Sequence, residues 1–391
     1  MKIYMSWRLG IVSCGATVAV VLIFWKRFKN PSIDIKKKSE NCAVKKSLEE
    51  SKLPLDKKIS KNNNDKYIEE LPEPRWIKVG EIKELFYYPL KSGRGKNLNN
   101  CEFTDFGIAV NDDGKLTLKD RMFLVYNEEN GKFITGRNHP TLILVSLSAV
   151  DNKRVKLEAV GMQSLTFELL PENSKNIDEN IECSMWWGEK VKCIDCGDAP
   201  AEWISRFLTG TDSGLRIGLA PSERCRDLSN GPWERFTKVY DTLRNEDTGY
   251  FSDLTSYMLM TESSLDELNS RLENPTLSLQ YRPNIVVSGT EAFDEDEWEW
   301  IKIGDDVVIR NVKPCPRCKM IKINPETAEV NPKEPFETLQ SFRAQTDKNK
   351  IKVDGKAPLL GIYCGLYLPG NVKIGDDVFI HSSKTVCTTS V

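Results

Sequence analysis

The stretch Ile301-Lys302-Ile303-Gly304-Asp305-Asp306-Val307-Val308-Ile309 decides the fold class. Apolar residues alternate on both sides of a glycine–acid pair, the pattern of a strand, a tight turn and a returning strand. The unit recurs almost unchanged as Val372-Lys373-Ile374-Gly375-Asp376-Asp377-Val378-Phe379-Ile380, and more loosely as Trp186-Trp187-Gly188-Glu189-Lys190-Val191-Lys192-Cys193. The three copies are far apart and not periodic, which argues against a solenoid and predicts a β-rich, barrel-like body. Outward from them, further strands are expected over 79–89, 119–126, 141–147, 257–260 and 285–287. Helices are fewer. Residues 198–208 carry Trp203, Ile204, Phe207 and Leu208 on one face, and residues 263–272, which open on Ser-x-x-Asp, carry Leu265, Leu268 and Leu272 on another.

The chain has 391 residues, room for two or three domains. A net charge of −2 argues against nucleic acid as the main partner. Eleven scattered cysteines, an odd number, read as mostly reduced thiols facing a cytosol rather than a secreted disulfide scaffold. The two histidines, His139 and His381, leave little for a histidine base or a histidine-rich zinc site. Leu9 to Trp25 is an uncharged run of 17 residues followed by Lys26, Arg27 and Lys29. No small-x-small cleavage site precedes those charges, so the run is expected to be an uncleaved transmembrane anchor. Residues 26–61 hold 12 Lys/Arg against 5 Asp/Glu, which by the positive-inside rule puts the body in the cytosol. Residues 26–72, polar and lysine-rich, read as a tether.

The chemistry concentrates at Val312-Lys313-Pro314-Cys315-Pro316-Arg317-Cys318-Lys319-Met320. Two prolines restrict the backbone around two thiols. Arg317 directly precedes the second thiol, and a cation beside a cysteine favours the thiolate. Met320 to Ile323 is expected to be strand-like, which sets the thiols in a constrained loop between two strands. Four chemistries compete here: a zinc clip, a redox dithiol, a nucleophile and a ligand for a redox metal. Zinc would need the second C-x-x-C pair, Cys193/Cys196, which residues 197–314 separate from the first, so only the fold could unite them. A dithiol would want a helix start at the thiols, where a strand is expected. Cys101, Cys193 and Cys364 read as structural. Lys91-Ser92-Gly93-Arg94-Gly95 packs cations and glycines into one turn. It is not a Walker loop, and taken alone it reads more readily as an ordinary basic turn than as an anion site. Polar groups at two strand starts, Asp253 to Ser256 and Tyr281 to Asn284, would suit a phosphate-bearing cofactor.

Several segments together resemble the MOSC family (molybdenum cofactor sulfurase C-terminal domain). They are Arg282-Pro-Asn-Ile-Val-Val-Ser-Gly289, Cys315-Pro-Arg-Cys318, Asn324-Pro-Glu-Thr327, Lys333-Glu-Pro335 and Gly361-Ile-Tyr363. Upstream, Tyr88-Pro-Leu-Lys-Ser92, Lys119-Asp-Arg121 and Asp195-Cys-Gly-Asp198 are similar to the β-barrel domain that precedes MOSC. With the anchor, the arrangement resembles the amidoxime-reducing members of that family, over roughly residues 76–380. The resemblance implies an α+β, β-rich chain. Its parts would be an anchor at 1–26, a linker at 27–72, an N-terminal MOSC-type β-barrel domain at 73–210, and a MOSC barrel-like domain with a few helices at 211–385. It implies the molybdenum cofactor, Mo-molybdopterin, with Cys318 as the catalytic residue and molybdenum ligand. Cofactor contacts would come from Lys91, Ser92, Arg121, Asp253, Thr255, Arg282, Asn284, Arg317 and Tyr363. The implied substrate is an N-hydroxylated small molecule, with electrons from NADH through cytochrome b5 reductase and cytochrome b5. The implied location is the mitochondrial outer membrane, body towards the cytosol, with the endoplasmic reticulum as the alternative. There are four departures from the pattern: Thr290 where some relatives carry cysteine, Pro316 beside the ligand, a linker at 26–72 longer than expected, and Leu254 in place of a polar residue. A non-catalytic carrier of the cofactor or of sulfur, and a zinc-stabilised scaffold, are the competing readings.

Overall fold

Seven strands close into a barrel: β1 (Ile77–Tyr87), β2 (Tyr257–Thr261), β3 (Ile285–Ser288), β4 (Trp300–Ile303), β5 (Val307–Pro316), β6 (Leu359–Leu368) and β7 (Asp377–His381). Their order is β3-β2-β6-β5-β4-β7-β1, and β1 pairs back onto β3. Closure leaves no open edge, which is how a β-rich body avoids edge-to-edge association. All neighbours are antiparallel except β2 and β3. A parallel pair needs a long crossover. Residues 262–284 supply it, and they carry the helix Glu262–Asn269. The architecture is that of a computed structural model, which describes residues 75–169, 181–185, 187–222 and 226–381. The expected anchor and tether lie outside the described residues. Among the described residues no helix is long and apolar enough to cross a membrane.

The stretch that predicted the fold makes the β4–β5 hairpin, with Ile303 opposite Val307 and Ile301 opposite Ile309. All four side chains are fully buried, because alternation turns them to one face of the pleat. The near-copy behaves differently. Its first half, in the strand Gly370–Lys373, pairs with Asn100–Thr104, while its second half is β7 and pairs with β4 and β1. The turn between them is tied by the Asp376 carboxylate, which accepts from the Lys373 N–H at 2.8 Å. One sequence pattern therefore builds a hairpin in one place and a sheet-switching corner in the other. The exchange is mutual, since β1 from the N-terminal region completes the barrel.

A short strand, Lys96–Leu98, also pairs antiparallel with β1, and the remaining strands form three open antiparallel sheets. One joins Gly370–Lys373, Asn100–Thr104, Gly107–Val110 and Leu118–Lys119; a second joins Ile181–Ser184, Lys190–Asp195, Leu215–Leu219, Phe123–Asn127 and Phe133–Ile134. The third joins Leu165–Glu168, Arg154–Glu158 and Ser146–Ala149. One apolar core runs through barrel and sheets, from Ile82, Leu259 and Ile285 to Phe103, Phe123 and Trp203.

Four local expectations are corrected. Residues 141–147 are not one strand: Pro140–Leu144 is a 3-10 turn, and a strand begins at Ser146. Pro140 sets a helical φ at the first position, and a short apolar run cannot tell the two states apart. Lys319–Lys322 is likewise a 3-10 turn, with Cys318 at its N-cap and Cys315 inside β5, so the thiols do not share a loop between two strands. The strand expected over 119–126 is interrupted at Asp120-Arg121, where Arg121 turns to φ 47°. The helix expected from Ser263 starts two residues earlier on Thr261, whose hydroxyl accepts from the Ser264 N–H at 3.3 Å. In β6 the backbone at Gly361 has φ 71°, and a Cβ there would stand 2.4 Å from the Leu259 carbonyl oxygen. That glycine permits the irregular β5–β6 register on which Cys315 and Tyr363 sit.

Candidate functional site

The cleft around Cys318 has a volume of about 820 Å³ including its open mouth, and it collects residues from seven chain segments. The turn after β1 brings Lys91 and Ser92, the Asp120–Arg121 turn brings Arg121, and the loop after Phe133–Ile134 brings Thr135 and Arg137. The approach to β2 brings Ser252, Asp253 and Thr255; the approach to β3 brings Gln280, Tyr281, Arg282 and Asn284; the end of β5 brings Cys315 to Cys318, across from Tyr363 of β6. All ten residues singled out in the sequence line this one cleft. Of the three departures that fall among the described residues, Pro316 lines it. Leu254 turns into an apolar cluster with Leu228 and Val312, and Thr290 bonds Ser263 at 3.1 Å.

Backbone strain is concentrated at the cleft. Five non-glycine residues have positive φ among the described residues, and Ser92, Arg121 and Arg282 are three of them. A left-handed non-glycine residue costs about 1–2 kcal/mol and persists only where the surroundings hold it. Here the holding contacts are visible. Arg121 pairs with Asp120 and donates to Asn284 Oδ1 and the Arg282 carbonyl, both at 3.3 Å. Asn284 in turn donates to the Phe86 carbonyl at 3.2 Å and accepts from the Met258 N–H at 3.2 Å, so it ties β1 to β2. The guanidinium carbons of Arg121 and Arg282 each lie 4.2 Å from the ring centre of the buried Tyr88.

Five cations and a single carboxylate, Asp253, line the cleft among the described residues. Several cations are already engaged. Lys91 donates to Asp253 Oδ1 at 2.6 Å and the Phe251 carbonyl at 2.8 Å, and burial pushes its pKa down. Burial opposes the charge on Asp253, yet Lys91 and Arg137 outweigh it and hold that carboxyl well below the usual range. Arg282 donates one Nη to the Gly93 carbonyl at 2.9 Å, while its Nη2 is buried with no hydrogen-bond partner. Burial lowers its pKa to about 10, so the charge is poorly compensated by the protein alone.

The two thiols are not equivalent. Cys315 is buried, and burial pushes its thiol up. Cys318 is partly exposed on the cleft. Its sulfur receives two N–H groups of Arg137, Nε at 3.4 Å and Nη2 at 3.2 Å. This corrects the expectation that Arg317 is the cation serving that thiol. The Arg317 guanidinium donates to the Leu360 carbonyl at 2.8 and 2.5 Å and to the Tyr281 carbonyl at 2.8 Å, so it braces β6 and the approach to β3. Arg137 was missed in the sequence. The signal available was Thr135-Gly136-Arg137-Asn138, a glycine–cation turn after a strand, of the same kind as the Lys91 to Gly95 turn.

The zinc geometry is not assembled. Cys193 lies 3.2 Å from Cys183 in a separate apolar cluster, and no three Cys, His, Asp or Glu groups converge among the described residues. Behind the cleft, Arg226 and Glu189 form a buried ion pair at 2.8 Å. Arg226 also donates to the carbonyls of Ser252, Asp253 and Leu254 at 2.9, 3.1 and 3.0 Å, which fixes the loop that presents Asp253.

A closed barrel whose strand ends gather a thiol, excess cations and an uncompensated guanidinium defines a protein built to hold an anionic ligand beside a cysteine. The chain belongs to the MOSC family: the MOSC N-terminal beta barrel domain matches residues 79–211, and the MOSC domain matches residues 247–379. It is 35% identical over 302 residues to mitochondrial amidoxime-reducing component 1 of Homo sapiens, covering 77% of this chain and 83% of that one. Against the Mus musculus component 1 the identity is 33%, covering 78% and 84%, and against the Bos taurus component 2 it is 34%, with the same coverage.

Proposed function

We propose that this chain is a molybdenum cofactor-dependent oxidoreductase that removes oxygen from N-hydroxylated compounds. The relatives' names, amidoxime-reducing components, supply the reaction class. The observation that carries the reading is the buried, unpartnered Nη2 of Arg282 in a cleft with five cations against one carboxylate and Cys318 on its wall. A buried donor without an acceptor is costly, and a phosphate-bearing ligand would satisfy it. The residues present therefore fit the cofactor. Cys318 would hold the metal, and Lys91, Ser92, Arg121 and Arg282 would surround the anionic part. Thr255, Asn284, Arg317 and Tyr363 shape the walls.

Bound molybdenum would supply a two-electron couple at the cleft. For an amidoxime the balance is R–C(NH2)=N–OH + 2 e⁻ + 2 H⁺ → R–C(NH2)=NH + H2O: the N–O bond breaks and its oxygen leaves as water. The protein's part is positional. Arg317 and Asn284 lock the strand ends, and Arg121 and Arg282 fix the cation spacing. The electrons would come from NADH through cytochrome b5 reductase and cytochrome b5. Residues 9–25 would hold the body to the mitochondrial outer membrane, facing the cytosol; the relatives' names support a mitochondrial location.

The test is metal analysis of full-length protein made in a host that synthesises the cofactor, followed by reduction of benzamidoxime with a chemical electron donor. Stoichiometric molybdenum that Cys318→Ala abolishes, together with turnover, is the expected result. Protein that carries no molybdenum and keeps its activity in Cys318→Ala would sink the reading. Loaded protein that reduces no N-hydroxylated compound, even with its donors supplied, would favour the carrier.

A further inference from the structure

The charged groups of the cleft fall into two sets. Lys91 and Arg121 have side chains only 7% and 13% exposed, whereas Asp253, which accepts from Lys91 at 2.6 Å, and Arg137 remain 43% and 23% exposed. These two stand side by side, Arg137 Nη2 being 3.5 Å from Asp253 Oδ2 and 3.2 Å from the Cys318 sulfur. A carboxylate acceptor and a guanidinium donor thus face the open part of the cleft within one guanidinium's width of the thiol. Both are held from behind. Arg226 grips the three carbonyls around Asp253. Gly136, next to Arg137, is packed so closely on Met320 that a Cβ there would lie 2.8 Å from the Met320 methyl carbon.

We infer that Asp253 and Arg137 form a substrate-reading pair, Asp253 accepting from an N–H of the substrate and Arg137 donating to the oxygen of its N–O group. The inference rests on the reductase reading above and gives it a specificity. The chemistry follows from complementarity. A carboxylate accepts and cannot donate, and a guanidinium donates and cannot accept. An N-hydroxylated amidine offers an NH2 donor beside an N–O oxygen, so both members of the pair are satisfied at once. A tertiary or aromatic N-oxide offers the oxygen alone and brings no N–H to Asp253. Sites built to receive a donor discriminate strongly against analogues that lack it. On this inference Asp253 serves the substrate rather than the cofactor and sets the specificity, and Arg137 enters the site as the residue that positions the N–O oxygen.

The experiment compares benzamidoxime with pyridine N-oxide on the molybdenum-loaded, full-length protein, with reduced viologen as donor. The readout is the ratio of the two kcat/KM values, which cancels any difference in loading or folded fraction. A second readout is calorimetric binding of benzamidine, the amidine product. In Asp253→Asn the ratio is expected to fall about tenfold or more, the effect of losing a hydrogen bond to a charged group. Benzamidine binding is expected to weaken by a similar factor, and molybdenum content to stay at the wild-type level. Asp253→Glu is expected to restore part of the ratio. In Arg137→Lys both substrates are expected to lose KM alike, with the ratio held within about twofold, since both carry the N–O oxygen. An unchanged ratio and unchanged benzamidine affinity in Asp253→Asn would overturn the inference. So would loss of molybdenum from that variant with the ratio intact, which would return Asp253 to the cofactor. Wild-type protein that reduces neither compound is a different failure and overturns the reductase reading itself.

Discussion

Replacing Arg226 with methionine tests how the cleft is held from behind. Arg226 and Glu189 have side chains 2% and 7% exposed, so the pair is fully desolvated. Glu189 also accepts from Trp187 Nε1 at 2.9 Å and Trp233 Nε1 at 2.7 Å. Removing one partner of a buried pair costs about 3–5 kcal/mol because a buried charge is left uncompensated. Arg226→Met would also strip hydrogen bonds from the carbonyls of Ser252, Asp253 and Leu254, and a buried acceptor left unmade costs about 1–3 kcal/mol. At least about 4 kcal/mol is expected, a large part of the 5–15 kcal/mol that typically separates folded from unfolded. The double variant Arg226→Met/Glu189→Leu removes both charges, and it should recover about half of the loss, since apolar replacements of a buried pair are well tolerated. Urea unfolding followed by tryptophan fluorescence is suited to the question, because Trp187 and Trp233 both touch the pair. A loss below about 1 kcal/mol in the single variant, or strict additivity in the double-mutant cycle, would refute the reasoning.

Other outcomes follow from the same geometry. Cys315→Ser should keep molybdenum, at a stability cost of about 1 kcal/mol or a little more for a polar group in a buried site, while Cys318→Ser should lose it; equal loss in both would return the pair to a dithiol. Gly361→Ala should destabilise by about 2 kcal/mol or more, from left-handed strain plus collision with the Leu259 carbonyl, and a urea midpoint within error of wild type would show the β5–β6 register to be softer than it looks. Burial opposes ionisation of Glu189, but Arg226 and the two indole N–H groups hold its carboxyl below the usual range. A depressed folded-state value stabilises above the unfolded pKa of roughly 4.3, and that stability is lost as pH falls through the folded value. Glu189→Gln should accordingly flatten the fall of stability as pH drops below about 4.5; a slope equal to wild type would remove Glu189 from the acid response.

The sequence by itself determined the local units and the kinds of chemistry. The glycine–acid turns with alternating apolar flanks announced β-rich structure, because period-two burial and turn geometry are properties of a few adjacent residues. The same locality limited it. Lys119 to Tyr126 read as one strand until Arg121 turned left-handed, and Thr141 to Leu147 read as a strand because apolar density alone carries no period. Tertiary structure decided the rest. Cys318 and Arg137 are 181 residues apart in sequence, and closure of the barrel brings the guanidinium onto the sulfur, while the neighbouring Arg317 is drawn into the strand ends by backbone carbonyls that must be satisfied once buried. Near-identical stretches became a hairpin at 300–309 and a corner at 370–381, because the partner strands, not the stretches, set where each chain half could pair. Which cation serves the thiol, and which carboxylate faces the open cleft, are long-range facts that only the folded chain holds.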